Sequence, residues 1–218
     1  MRLAPSSCQK YPGVRGSAPR KGYNQVQMVI VIPAAGASSR MRGRDKLLEI
    51  VDGQPLLARC TGRALATGWP VVVALAEIHT QRWTAIEGMA VTRVTVRDSN
   101  QGMAASIRDA MAVIPQSTDA VMIVPADMPD LETVDFQLLS EAFIQDPAHI
   151  WRGSNDAGTP GHPVIFPKRL FPKLLTLDNG EGARAALEGE VVKLCPLPDQ
   201  HALTDLDTPE DWARWRAN

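Results

Sequence analysis

The sequence predicts an α/β domain built on a mostly parallel sheet, and three observations carry that prediction. Uninterrupted apolar runs of strand length recur at 28–32, 71–76 and 120–124. Runs that do not alternate with polar residues belong to strands covered on both faces. Stretches with helix start and stop signals separate them, which supplies the crossovers that parallel neighbours need. At 218 residues the chain fits one such domain and can bury roughly 70% of its unfolded surface.

Composition excludes some classes of function. A formal net charge of −1 gives no general affinity for nucleic acid, and no run of about 20 apolar residues could span a membrane. The cysteines, Cys8, Cys60 and Cys195, are odd in number and far apart. They fit buried or incidental thiols of a reducing, cytoplasmic setting better than a disulfide framework or a zinc site. Residues 1–27 are polar and basic, with no hydrophobic periodicity and no apolar segment of a secretory signal. They are expected to be a disordered or non-native extension, and Met28 opens a single domain over 28–218.

The first strand ends in Pro33-Ala34-Ala35-Gly36, and Arg40, Arg42, Arg44 and Lys46 follow closely. Small residues at the carboxyl end of a strand let an anion or a flat ring approach bare backbone N–H groups. With flexible cations added, the loop is a candidate pocket for a polyanion such as a nucleoside triphosphate. It is neither of the common phosphate loops. Lys46 is followed by Leu47 where a Walker loop has Ser or Thr, and Gly36 lacks the partners of a dinucleotide fingerprint.

Further elements follow in order. Gln54-Pro55-Leu56-Leu57 starts a helix that runs to about Thr67 and stops at Gly68. Val71–Ala76 is a strand, Gln81–Ile86 a short helix and Val91–Val96 another strand. Asn100-Gln101-Gly102-Met103 opens a helix that Pro115 closes. Its N-terminus suits an anion or a nucleobase edge, or is an ordinary helix start with Ser106 in it. Ala120–Val124 delivers Pro125-Ala126-Asp127-Met128-Pro129-Asp130 at a carboxyl strand end, where ligands of open α/β sheets gather. Asp127 is there a candidate ligand for Mg²⁺, which takes one or two carboxylates plus phosphate oxygens. Asp130 is the better placed of the two to cap the helix beginning near Leu131.

From about Ala148 the pattern changes. Ile150-Trp151-Arg152 reads as a strand, then a glycine-rich loop leads through Gly161-His162-Pro163 into the strand from Val164. Leu170–Leu177 is a helix, Asn179-Gly180-Glu181-Gly182-Ala183-Arg184 starts another, and Val191–Cys195 is a late strand. Thr208-Pro209 with Asp211 marks the start of a closing helix. Asp205 and Asp207 alternate along an extended piece and so point the same way. Either could add a second carboxylate to a cation on Asp127.

Taken together, Ala34-Ala35-Gly36-Ala37-Ser38-Ser39-Arg40-Met41 and Asp45-Lys46-Leu47-Leu48 resemble the signature of nucleotidyltransferases of the molybdenum cofactor guanylyl- and cytidylyltransferase type. Many members read Arg-Met-Gly where this chain has Arg40-Met41-Arg42-Gly43, an insertion of one residue. Gly102-Met103-x-x-Ser106, Asp127-Met128-Pro129 and Gly161-His162-Pro163 add to the likeness, which covers about 28–215. The resemblance implies a three-layer Rossmann-like fold, mostly parallel, with a small antiparallel portion late in the chain. It implies that Ala34, Ala35, Gly36, Ser39, Arg40, Lys46, Gly102 and Ser106 bind the nucleotide. Lys46, Arg40 and Asp127 would be catalytic, and Mg²⁺ would sit on Asp127 with Asp207. His162 and Arg184 would face the acceptor, with ordering of the loop and plain solvent exposure as their respective alternatives.

The implied reaction is attack of an acceptor phosphate on the α-phosphorus of a nucleotide, with pyrophosphate leaving. An ionised phosphomonoester needs no general base, so positioning and charge neutralisation are the requirements. Ala35 before Gly36 is similar to the cytidylyl branch, where guanylyl members tend to Gly-Gly. The expected partners are therefore CTP, or else GTP, with molybdopterin, and a molybdoenzyme or its maturation chaperone downstream. Another NTP or phosphorylated acceptor is the second reading. A non-catalytic nucleotide-binding or cofactor-chaperone protein is the third, and the joint presence of Arg40, Lys46 and Asp127 argues against it.

Overall fold

The computed structural model describes residues 26–99, 102–178 and 182–217. Most of the expected extension over 1–27, with Cys8, lies outside the described residues, as do Asn100, Gln101 and Asn179-Gly180-Glu181. The strands are β1 (Met28–Pro33), the two-residue β2 (Ile50–Val51) and β3 (Gln54–Pro55), β4 (Val71–Ala76), and β5 (Thr92–Val96). They continue with β6 (Ala120–Ile123), β7 (Ile150–Ser154), β8 (Pro160–Pro167) and β9 (Val192–Pro196). The α-helices are α1 (Leu56–Leu65), α2 (Thr80–Ala85), α3 (Met103–Met111), α4 (Thr133–Gln145), α5 (Phe171–Leu175) and α6 (Pro209–Ala217).

Seven strands form one sheet in the order β5-β4-β1-β6-β8-β7-β9. β5, β4, β1 and β6 pair in parallel, as do β7 and β9, while β8 runs against both its neighbours. The reversed strand falls late in the chain, as expected. Period-two geometry explains the unbroken apolar runs. Met28, Ile30 and Ile32 face a cluster with Leu57 of α1 and Phe136 of α4, whereas Val29 and Val31 face Ala104 and Ile107 of α3 with Leu174 of α5. Helices thus cover both faces, giving three layers. Cys60 and Cys195 are buried.

Some boundaries differ from expectation for identifiable reasons. Gln54-Pro55 pairs with Ile50-Val51 as a small antiparallel hairpin, so α1 begins at Leu56 and Pro55 precedes the first helical residue. Gly68 does stop this segment, with φ +83°. The expected helix over 170–177 divides into a 3-10 turn, Lys168–Leu170, and α5. The helix expected after 179 is a 3-10 segment, Gly182–Leu187. Asp130 does not cap α4: Glu132 does, in a reciprocal box with Asp135, while Asp130 accepts a hydrogen bond from Trp215 Nε1 at 2.8 Å. The expected start at Thr208 holds, since Asp211 Oδ2 accepts from the Thr208 N–H (2.9 Å) and Thr208 Oγ1 accepts from the Asp211 N–H (3.2 Å).

Candidate active site

The strand order reverses at β1, with β4 on one side and β6 on the other, so a crevice opens beyond their carboxyl ends. The Val124 N–H donates to the Val31 carbonyl at 2.9 Å. That pairing keeps the two ends level, and Ala34–Gly36 leaves beside Pro125–Asp127.

A second clamp is made of side chains. Arg82 of α2 is almost fully buried and forks onto Asp45, Nε to Oδ2 at 2.6 Å and Nη2 to Oδ1 at 2.7 Å. Its remaining donors reach the Ala34 carbonyl (2.6 Å) and Ser38 Oγ (3.0 Å). Burial works to raise the Asp45 pKa, but Arg82 and the Leu47 and Ser38 hydrogen bonds outweigh it and hold the carboxyl below its ordinary value. Asp45 in turn caps the 3-10 turn Lys46–Leu48. One guanidinium therefore ties together the strand end, the start of the loop and the turn carrying Lys46. Neither Arg82 nor a role for Asp45 was expected, because nothing local in Gln81-Arg82-Trp83 marks a buried cation.

After Met41 the loop takes two successive left-handed conformations, Arg42 at φ +52° and Gly43 at φ +88°. Met41 stays fully buried against Val51, Leu56 and Trp212, which turns its neighbours outward. Arg40 Nη1 reaches Asp207 Oδ2 at 2.8 Å, Arg42 pairs with Glu210, and Arg44 with Glu49.

Lys46 Nζ lies 2.5 Å from Asp127 Oδ2 and 2.6 Å from Asp207 Oδ1. The carboxylates are brought together by the backbone, the Leu206 N–H donating to the Asp127 carbonyl at 3.1 Å. From beneath, Arg63 of α1 donates to the carbonyls of Pro129 (2.9 Å) and Leu131 (2.6 Å), and Arg59 also reaches Pro129. Burial alone would lower the Lys46 pKa, but the two aspartates hold it above the ordinary lysine value. Asp205 lies nearby, and burial followed by repulsion from Asp127 and Asp207 raises its pKa.

The donor set suits a divalent cation completed by substrate oxygens. Asp127 and Asp207 converge on one point at which a positive charge already sits. Among the described residues no group of three or more His, Cys, Asp or Glu side chains could hold a metal ion. Two carboxylates with phosphate oxygens are what Mg²⁺ or a similar hard ion requires.

The crevice holds three adjoining cavities. One of about 170 Å³ is lined by Ala34, Ala35, Gly36, Lys46, Ser106 and Asp127, among others. A second, about 240 Å³, passes Asp127, Asp205, Gly161 and His162. The largest, about 530 Å³, is bounded by His162, Arg152, Arg184, Phe166 and Gly102. Met103 borders all three. Of the residues expected to bind a nucleotide, Ala34, Ala35, Gly36, Lys46 and Ser106 gather in the first cavity, and three do not. Gly102 opens on the third cavity instead, and Ser39 and Arg40 are exposed in the loop and line none of the three, Arg40 being paired with Asp207. His162 and Arg184 meet at the far end.

His162 is placed by glycines that permit backbone contact. A Cβ on Gly161 would lie 1.9 Å from the Ala202 carbonyl oxygen, and the His162 N–H donates to that same oxygen at 2.8 Å. Burial, then the charge of Arg152, pushes the His162 pKa down to about 4 against the opposing pull of Asp127.

A parallel α/β sheet whose switch point sets a lysine and two carboxylates beside a small-residue loop defines an enzyme of the nucleotidyltransferase class. The chain belongs to the MobA-like NTP transferase domain family, which matches residues 30–196. It is 28% identical over 195 residues to a protein named "Probable molybdenum cofactor guanylyltransferase" from Natronomonas pharaonis, covering 85% of this chain and 95% of that one. Among solved structures, Rv0371c from Mycobacterium tuberculosis H37Rv superposes with a TM-score of 0.77 at 22% identity, covering 88% of this chain and 99% of that chain. The same protein in complex with manganese gives 0.71 at 21% identity, covering 86% and 97%. These two share the three-layer fold. No helix among the described residues is long and apolar enough to cross a membrane.

Proposed function

We propose that this enzyme transfers CMP from CTP to the phosphate of molybdopterin, releasing pyrophosphate. The observation that carries the reading is the Lys46–Asp127–Asp207 cluster beside the Ala34–Gly36 loop. Lys46 is a cation on the floor of the crevice, held by two carboxylates, and it neutralises charge developing at the α-phosphate. Arg40, two-thirds exposed at the mouth, takes the leaving pyrophosphate. Asp127 and Asp207 would hold Mg²⁺, which when bound screens the phosphate oxygens and aligns the attack. With Lys46 and Arg40 held in place, no reorganisation is needed as charge moves, which is the source of rate in such sites.

Base choice rests on Ala35, buried in the wall of the first cavity, whose methyl narrows the space for the base. GTP is the second reading, and the name of the Natronomonas relative favours it. The test is pyrophosphate release from each of the four common NTPs with Mg²⁺, with and without molybdopterin. Acceptor-dependent release with CTP alone supports the proposal, and release with GTP alone transfers it to the second reading. No acceptor-dependent release with any NTP overturns it.

A further inference from the structure

A buried carboxylate–imidazole pair lies outside the crevice. Asp135, fully buried in the first turn of α4, has Oδ2 at 2.9 Å from His201 Nδ1. A carboxylate only accepts, so Nδ1 is the ring nitrogen that carries the proton. The same Oδ2 also accepts the Glu132 N–H at 2.7 Å. Oδ1 is buried and has no hydrogen-bond partner among the described residues. A buried carboxylate satisfied on one oxygen alone is a poor source of stability. What it supplies is a fixed distance between two parts of the chain.

Those parts carry the two carboxylates of the crevice. Glu132 ends the turn that starts from Asp127, and His201 lies on the stretch that leads to Asp207. That stretch has no regular structure, and from Pro198 to Asp205 only Ala202 is buried. Apolar packing locates it only through Ala202 and the half-buried Leu203. It is folded on itself instead, the Leu203 and Thr204 N–H groups both donating to the Gln200 carbonyl, at 2.8 and 2.9 Å. A stretch tied internally in this way moves as a unit. Outward it is held by His201 on Asp135, by the Ala202 carbonyl on the His162 N–H, and by the Leu206 N–H on the Asp127 carbonyl.

Resting on the reading in which Asp127 and Asp207 hold the divalent ion, we propose that Asp135 and His201 are positioning residues for that site. One oxygen, Asp135 Oδ2, ties the turn behind Asp127 to the stretch ahead of Asp207, and so sets how far apart the two carboxylates stand. Neither side chain lines any of the three cavities, so both act through the backbone. Without the tie the Asp207 side withdraws, and metal affinity falls although both carboxylates remain.

The experiment follows Mn²⁺ binding to the full chain, without nucleotide, by the EPR signal of the free ion. His201→Gln puts an amide nitrogen where Nε2 was and should weaken the Mn²⁺ site about tenfold. His201→Asn puts an amide nitrogen where Nδ1 was and should restore most of the affinity. His201 is part-exposed on a surface stretch, so both variants keep the fold, which thermal denaturation checks. A role in stability alone would lower the Tm of His201→Gln and leave its Mn²⁺ affinity parental, and that result overturns the proposal. Equal weakening in the Gln and Asn variants overturns it too. Asp207→Asn judges the reading beneath: no Mn²⁺ site on the parent, or one that Asp207→Asn leaves intact, overturns the metal reading itself.

Discussion

Lys46 and Asp127, 81 positions apart, are joined by a 2.5 Å contact between Nζ and Oδ2. Asp207 completes the group from the opposite end of the chain. The protein's own carboxylates therefore balance this cation, and under the proposed function the same two carboxylates would hold the metal. A half-buried ammonium between two carboxylates has modest net worth, because desolvation offsets much of the attraction. Such a cluster can be taken apart by a polyphosphate and a divalent ion without dismantling the fold, since the sheet beneath it is held by apolar packing.

Replacing Lys46 or Asp127 by Ala should consequently cut turnover by about 10²- to 10³-fold or more. Thermal denaturation should show the fold intact in both variants. Pyrophosphate release within about threefold of the parent would remove that residue from the catalytic set.

Chelation should stop turnover, and added Mg²⁺ or Mn²⁺ should restore it. Asp207→Asn is expected to raise the metal concentration needed for half-maximal rate by about tenfold or more. Asp205→Asn, in which only the neighbouring carboxylate is neutralised, should leave that requirement nearly unchanged. The reverse ranking would transfer the second ligand role to Asp205.

Arg82→Ala leaves the Asp45 carboxylate, the Ala34 carbonyl and Ser38 Oγ without their shared donor. Breaking one side of a buried pair costs about 3–5 kcal/mol, and denaturant titration should show a loss of that order. Nucleotide affinity should fall too, since the loop is then no longer pinned. Arg82→Lys should rescue little, because one ammonium cannot reach three acceptors in a plane.

Much of this site is readable from local pattern. Buried strands announce themselves at 28–32, 71–76 and 120–124 because a strand covered on both faces must be apolar throughout. The loop cations and Asp127 are readable because they follow directly on such strands. Arg82, Arg59 and Arg63 were not, because the site groups they hold, Asp45 and the Pro129 and Leu131 carbonyls, lie 37 or more residues away and a helix of ordinary composition conceals them. Arg152 was hidden likewise, in a strand flanked by Trp and Gly. Asp130 illustrates the opposite error: a carboxylate just before a helix suggests a cap, but Glu132 and Asp135 form a reciprocal one and leave Asp130 to Trp215.

Gly161→Ala should be damaging out of proportion to its size. The added methyl would fall 1.9 Å from the Ala202 carbonyl oxygen, a backbone atom that cannot rotate away. The segment through Ala202 leads to Asp207, so displacing it shifts the second carboxylate. A stability loss of at least about 2 kcal/mol is expected, together with a fall in kcat. A variant with parental stability and kcat would show that the two segments are not in contact in solution.

His162 contributes to the pH dependence of stability. Burial, with the charge of Arg152 adding to it, puts its folded pKa at about 4, against an unfolded value near 6.5. Between those values the unfolded chain binds more protons than the native one, so stability rises with pH across that window. The contribution is complete above about pH 6.5 and is lost as the pH falls through 4. Asp135, bonded to His201 and raised above its ordinary value chiefly by burial, also responds to folding, so the parent curve alone does not isolate His162. The difference in Tm between the parent and His162→Gln does: it should change between pH 4 and 6.5 and be flat above. An NMR titration giving His162 a midpoint near 6.5 would contradict both the burial of its ring and its neutral state beside Arg152 at working pH.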